Sequence, residues 1–262
     1  VARRGSRVHD EPAFVVHQHD WSESSLILDV FTRHHGRVVL VAKGAKRPTS
    51  QFRAVLLALQ PLRLDWGGAP QQEVRTLKAA RWAGGHVLPA GEALLAGFHL
   101  NELLLRLLPR DDPQPALFDA YAEAVRALAQ GLPPAPRLRA FELLLLRAQG
   151  WLPDLGREAG TLRPLTPARR YRLVAEHGLL AHEGAGLSGA QWGALAQALA
   201  AADPWAALLT EAAEVLASAA LRAELLPLLH YHSGVRRLYA RELLREARRL
   251  LPASAPPLDA SP

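Results

Sequence analysis

The feature that most constrains this chain is a change of hydrophobic period at Pro89. Before it, apolar residues come in short runs, separated about every 8–12 residues by Gly or polar turns, as strands of a small barrel or sandwich are. Phe14–Trp21 reads as the first strand, followed by the polar turn Ser22–Ser24. Ser25–Thr32 alternates, with Leu26, Leu28 and Val30 on one face and Ile27, Asp29 and Phe31 on the other. His34-His35-Gly36 makes the next turn, and Arg37–Lys43 is a Val-rich third strand. Ser50–Leu57 is a short helix or turn, and Pro61–Trp66 and Glu73–Trp82, separated by Gly67-Gly68, complete a count of five strands. Five strands with one short intervening helix predict an OB-fold β-barrel, and an SH3-like barrel fits the same periodicity.

From Pro89 onward the spacing is helical. Gly91–Leu108 carries Leu94, Leu95, Phe98, Leu103, Leu104 and Leu107 near helical intervals, and Pro109 closes it. Asp111-Asp112-Pro113 starts a segment that runs to Gly131. The run Pro133-Pro134-Ala135-Pro136 reads as a break before a helix over Arg137–Gln149, ended by Gly150. Short connections between such helices imply an antiparallel bundle. Residues 153–187 are rich in Gly, Pro and charge without a clear period, and read as an irregular insert with room for one hairpin. Helical spacing returns over Ser188–Ala201, Pro204–Leu226 and Val235–Leu250. The expected class is α+β multidomain: an OB-fold barrel over 1–85, an α-helical domain over 86–252, and a disordered tail over 253–262.

Charge separates the two parts further. The net charge is +6, and residues 1–85 hold all of it, with 13 basic and 7 acidic side chains against 18 of each in the remainder. One part therefore suits a polyanion and the other does not. Between Asp29 and Asp65 there is no acid, while Arg33, Arg37, Lys43, Lys46, Arg47, Arg53 and Arg63 all fall in that window. Lys43-Gly44-Ala45-Lys46-Arg47-Pro48 follows a predicted strand, placing three cations and a flexible backbone at a strand end. Clustered cations of this kind bind phosphates and release their counterions, and an OB-fold offers a groove for single strands. The competing reading is a solvated charged face, although such a face usually mixes signs. Trp21, Phe31, Phe52, Trp66 and Trp82 are available for base stacking, but most aromatics at such positions are core, and the sequence selects none of them.

A second basic surface lies near the end, where Arg237, Arg241, Arg245 and Arg248 share a helix face, with Arg236 and Arg249 beside them. This run suits a second nucleic-acid or acidic-peptide surface and equally a salt-bridged helix C-terminus. No signature of an enzyme is present: Gly44-Ala45-Lys46 lacks the earlier glycine of a P-loop, and there is no H-E-x-x-H, G-x-S-x-G or G-x-G-x-x-G. His17 with His19, and His230 with His232, are close in sequence but have no third ligand, so no catalytic residue, metal or cofactor is expected. The chain has no cysteine, which excludes disulfides and thiolate zinc sites. Residues 1–13 are charged, and the apolar stretch Leu94–Leu108 is broken by His99, Asn101, Glu102 and Arg106. A soluble, cytoplasmic protein is expected, with no membrane partner.

Taken in order, these segments resemble the RecO family of bacterial DNA repair proteins. The resemblance rests on Ser22–Arg33 through Gly36, then Val41–Arg47 and Gln60-Pro61-Leu62. It continues through Asn101–Leu108, Phe141-Glu142-Leu143 and Gly150–Leu155, and ends with Leu229–Gly234 and Arg241–Arg245. It implies an OB-fold followed by a helical domain, and a mediator that binds single- and double-stranded DNA and anneals complementary strands. The partners it implies are RecR and the acidic C-terminal tail of the single-strand-binding protein SSB, with a functional link to RecA loading and to RecF in the nucleoid. The tail of SSB would need an apolar groove with an Arg rim. The alternative is a protein-interaction adaptor whose helical domain binds SSB or RecR, with DNA contact incidental. Many members carry a four-cysteine zinc module after a Pro-Asp-Leu stretch; Gly156–Glu176 has no cysteine, so zinc is not carried over.

Overall fold

The alternating runs of the first third close on themselves, which satisfies every strand edge. The computed structural model describes residues 6–69, 71–85, 87–234 and 238–239. Strands β1 (Ser6–Asp20), β2 (Leu26–Thr32), β3 (Gly36–Ala42), β4 (Leu62–Gly68) and β5 (Val74–Trp82) form a closed barrel in the order β1-β2-β3-β5-β4. Helix α1 (Phe52–Val55) lies between β3 and β4. β3 and β5 pair in parallel, and the other pairs are antiparallel. This order is the OB-fold topology, not the SH3-like alternative. Leu28, Val30, Val38, Leu40, Leu62, Leu64 and Trp66 fill the barrel, and Leu56 packs into the same cluster.

β1 begins well before Phe14, because its first half pairs with β4 (Ser6 opposite Gly68) and its second half with β2 (Asp20 opposite Leu26). A bulge with Asp10 at φ 52° breaks the alternation there, which hides that half from a period-two reading.

Helices α2 (Gly91–Leu107), α3 (Pro115–Ala129) and α4 (Pro134–Ala148) follow. α4 starts inside the Pro run read as a break, since proline suits a first helical turn, where its missing N–H is not needed. α5 (Gly189–Ala200) opens with a capping box at Ser188 and Gln191. The single helix expected over 204–226 is three: α6 (Pro204–Glu211), α7 (Ala213–Ala217) and α8 (Ala219–Ser233). Ala212 (φ −119°) and Ser218 (ψ 144°) leave helical geometry, and the Ser218 hydroxyl caps α8 by accepting from the Leu221 N–H. Most of the helix expected over Val235–Leu250, and the tail over 253–262, lie outside the described residues.

The insert read as irregular is an antiparallel sheet, β6 (Arg170–Val174), β7 (Gly178–Ala181) and β8 (Leu187–Ser188), in the order β7-β6-β8. Its strands are too short for their alternation to stand out among Gly, Pro and charge. Tyr171, Leu173, Leu179 and Leu187 bury one face in the helical core beside Trp192. The Leu173 N–H donates to Glu224 of α8 (2.8 Å), and the Thr166 N–H donates to the Tyr171 hydroxyl (3.0 Å). Apolar burial holds this region together. Among the described residues no group of three or more His, Cys, Asp or Glu could hold a metal ion, so the residues present do not fit the zinc module of the resemblance. No described helix is long and apolar enough to cross a membrane.

The outer face of the barrel joins the core of the helices, separately from the barrel's own interior. Phe14, Val16 and Phe31 point out of the barrel and belong to the helical cluster. Phe14 and Phe31 meet Phe118 and Tyr121 of α3 at ring-centroid distances of 5.0–5.9 Å. The Tyr121 hydroxyl donates to Asn101 Oδ1 (2.5 Å), whose Nδ2 donates to the Val16 carbonyl (3.1 Å). At the β2–β3 turn, Gly36 takes φ +69°, and a Cβ there would lie 2.2 Å from the Asp112 carbonyl oxygen. Only glycine permits both that conformation and that approach.

Candidate nucleic-acid interface

One end of the barrel is built by three chain segments hydrogen-bonded in series. β2 starts at Leu26, opposite both Asp20 and Ala42, so the β1–β2 turn and the segment after β3 emerge side by side. That segment turns at Gly44, whose φ of +71° is the left-handed conformation a turn of this shape requires. The Lys46 N–H donates to the Ser24 carbonyl (2.9 Å) and the Gly44 N–H to the Ser25 hydroxyl (3.4 Å), fixing the loop to the β1–β2 turn. The Arg47 carbonyl then accepts from Ser50, which leads into α1. β5 runs parallel to β3, so its last residue, Trp82, lies at this same end, and its indole N–H donates to the Val55 carbonyl of α1 (3.3 Å).

The six cations singled out by sequence divide between the two ends. Lys43, Arg47 and Arg53 are exposed on this rim, and their side chains make no hydrogen bond or ion pair with the described residues. Lys46 lies between them, half-buried, with Nζ on Asp20 (3.1 Å) and on the Ser22 carbonyl (3.2 Å). Arg33 and Arg37 sit at the other end, roughly 20 Å away along β3 at about 3.3 Å per residue. Arg33 grips Asp119 of α3 with two bonds of 2.8 Å, which raises its already high pKa. Arg37 is 13% exposed and donates to Asp29 (2.8 Å) and to the Leu108 carbonyl (3.0 Å). The acid-free window is thus acid-free only in sequence: Asp119 arrives from α3 and Asp29 from the facing strand.

Further cations are spent the same way. Arg63 and Arg81 meet Asp10, and Arg81 also meets Asp65. The Asp10 N–H donates to Asp65 (3.0 Å) and, with His9 and Arg81 nearby, holds its carboxyl below the usual range. Arg75 pairs with Asp111 of the α2–α3 connection (2.7 Å). Lys78 and Arg7 are exposed without an ion-pair partner among the described residues, and the charge window did not include them.

Of the five barrel aromatics, Phe31 and Trp66 are core, Phe52 is half-buried, and Trp21 and Trp82 are 66% and 55% exposed. Sequence gave no means of separating these, because alternation around Trp21 and Trp82 ends where the strands end. The four arginines of the second basic surface, Arg237, Arg241, Arg245 and Arg248, lie outside the described residues. His17 and His19 touch edge to face (4.1 Å), with the His17 pKa lowered by burial and by His19. His232 stacks on Trp151 (4.6 Å) and its pKa is also lowered by burial.

The helical region has a groove of about 610 Å³ between α3, α4 and the start of α6. Leu117, Leu144 and Trp205 line it, and Arg147 and Asp203 stand among its polar groups. The Arg147 guanidinium donates to the Leu199 carbonyl.

These observations agree with comparisons to known proteins. The family model described as Recombination protein O N terminal matches residues 7–86, and that described as Recombination protein O C terminal matches residues 88–253. The chain is 57% identical over 254 residues to the DNA repair protein RecO of Variovorax paradoxus (strain S110), covering 93% of this chain and 98% of that one. It is 55% identical over 249 residues to the DNA repair protein RecO of Polaromonas naphthalenivorans (strain CJ2), with the same coverage, and 55% identical over 251 residues to that of Delftia acidovorans (strain DSM 14801 / SPH-1). A five-strand barrel joined to a helical core through Phe14 and Phe31, and matched over nearly its whole length, belongs to the RecO family of DNA repair proteins.

Proposed function

We propose that this protein, a non-enzymatic recombination mediator of the RecF pathway by its family, holds DNA backbones on the rim of Lys43, Lys46, Arg47 and Arg53. The observation that carries the reading is the exposed side chains of Lys43, Arg47 and Arg53, which have no acid partner among the described residues, on and beside a loop fixed by its own hydrogen bonds. A fixed loop holds its charges in place before DNA arrives, so less ordering is lost on binding. Phosphates of two strands brought to this rim repel each other less, and base pairing then supplies the specificity of annealing. Arg33 and Arg37 support the reading through the junction they hold, not through exposed charge. Single- and double-stranded DNA, RecR and SSB are the partners, RecA loading is the outcome, and the cytoplasmic nucleoid is the place of action.

Lys43→Glu combined with Arg47→Glu is expected to weaken single-stranded DNA binding by about 1–3 kcal/mol and to flatten its salt dependence. Unchanged affinity with an unchanged salt slope overturns the rim as the DNA surface.

The groove on the helical region favours a second reading, in which protein partners dock there and DNA contact is incidental. The apolar floor suits the aromatic end of a peptide and Arg147 its carboxylate, as the tail of SSB is expected to offer, while Asp119, Glu123 and Asp203 on the same lining repel further acid. Arg147→Glu should then weaken capture of that peptide and leave oligonucleotide annealing intact. Equal loss of both activities would count against separate surfaces. Point variants are needed, because Phe14 and Phe31 are part of the helical core and deleting the barrel would open it.

A further inference from the structure

We infer that single-stranded DNA crosses the closed rim of the barrel, not its sheet face, and stacks its bases on Trp21 and Trp82. The inference rests on the rim being the DNA surface and adds the groups that recognise an unpaired strand.

An OB-fold commonly offers the outer face of its second and third strands to a single strand. Here part of that face is occupied. Phe31 of β2 and Phe14 of β1 point outward into Phe118 and Tyr121, and Arg37 of β3 is held by the Leu108 carbonyl. Bases cannot stack on rings already enclosed by α3. The exposed aromatics of the barrel lie elsewhere, beside the Lys43–Arg47 loop and α1. Trp21 follows the last residue of β1 and holds its backbone to Ser25 (3.1 Å). Trp82 ends β5, with the edge of its indole tied to Val55. A large ring fixed at one edge and more than half exposed costs little entropy to use and leaves a π-face for a base.

The two rings flank the cations along one continuous path. Trp21 leads into the turn that holds the Lys43–Arg47 loop, the loop leads into α1 with Arg53, and α1 holds Trp82. A single strand laid on this path gives its phosphates to the cations and unstacked bases to the indoles at either side. A duplex keeps its bases stacked on each other and uses the cations alone. The rim therefore distinguishes single strands from duplex without reading sequence.

The test compares oligo(dT) with a duplex of equal length, using intrinsic tryptophan fluorescence and filter binding. Trp21→Ala with Trp82→Ala should lower oligo(dT) affinity by about 5-fold or more, the lower limit for losing a base–aromatic stack, and leave duplex affinity nearly unchanged. Trp21→Phe with Trp82→Phe should retain most of the affinity while removing the fluorescence quench caused by oligo(dT). A loss smaller than about 5-fold in the Ala pair overturns the stacking, as does an undiminished quench in the Phe pair. If the Ala pair fails to fold by circular dichroism, the Phe pair decides. The charge-reversal variant separates the two readings: if it loses binding while the tryptophan variants bind normally, the rim stands and the stacking falls. If it binds normally, the rim itself falls.

Discussion

At the end of the barrel where the helices attach, Arg33, Arg37 and Arg75 each meet a carboxylate within 2.8 Å. At the opposite end Lys43, Arg47 and Arg53 face solvent with no acid among the described residues to meet them. The residue types are alike, and along the chain the second set lies between Arg37 and Arg75 of the first. What separates them is what the rest of the chain brings to each end. A cation beside a buried acid is a structural part whose charge is spent, whereas one on a fixed, open loop is available to a ligand.

The sharpest way to break this comparison is at Arg37. Its removal leaves Asp29 buried beside His19 at 3.9 Å and His17, without its guanidinium partner, and should destabilise the fold by about 3 kcal/mol. Urea denaturation of Arg37→Ala measures this; a midpoint equal to that of the parent would show the junction to be held by its aromatic rings alone. By contrast, the rim double variant proposed above should unfold at the parent midpoint while losing DNA. Arg33→Ala sharpens the comparison further: its pair with Asp119 is partly exposed at both partners, so about 1 kcal/mol or less is expected in the same denaturation. A loss as large as that at Arg37 would show that position across the junction matters more than burial.

The smallest effect concerns pH. The Asp65 carboxyl titrates below its ordinary value in the folded state, so the unfolded chain takes up the proton first as pH falls. The stability it supplies is complete above the ordinary carboxylate pKa and is lost as pH drops through the lower folded value. Thermal melts of Asp65→Asn and the parent should therefore differ near neutrality and begin to converge only as pH falls below about 4. A difference that persists in acid would assign the effect to packing.

Much of the architecture was legible in the residues. Alternation in Ser25–Thr32 placed Leu28 and Val30 in the barrel, and the spacing of Leu103, Leu104 and Leu107 placed α2 on its core. The failures have local causes. Asp10 bulges β1, Pro134 opens a helix instead of ending one, and Ser218 caps a new helix inside an unbroken apolar pattern. The candidate site was legible as a charge window but not as a surface. Sequence grouped Arg33 with Lys43 because both fall in the window from Asp29 to Asp65 that holds no acid, yet Asp119 is 86 residues from Arg33 and in contact with it.

By itself, then, the sequence determined the five-strand count before Pro89, the helical character after it and the basic character of the first part, because hydrophobic period and charge are properties of neighbours along the chain. Tertiary structure alone decided which cations remain free, that Phe31 is core while Trp21 and Trp82 are open, and that Gly36 must admit the Asp112 backbone. Those outcomes depend on groups brought together across long stretches of chain, and burial and ion pairing act through distance in space, not in sequence.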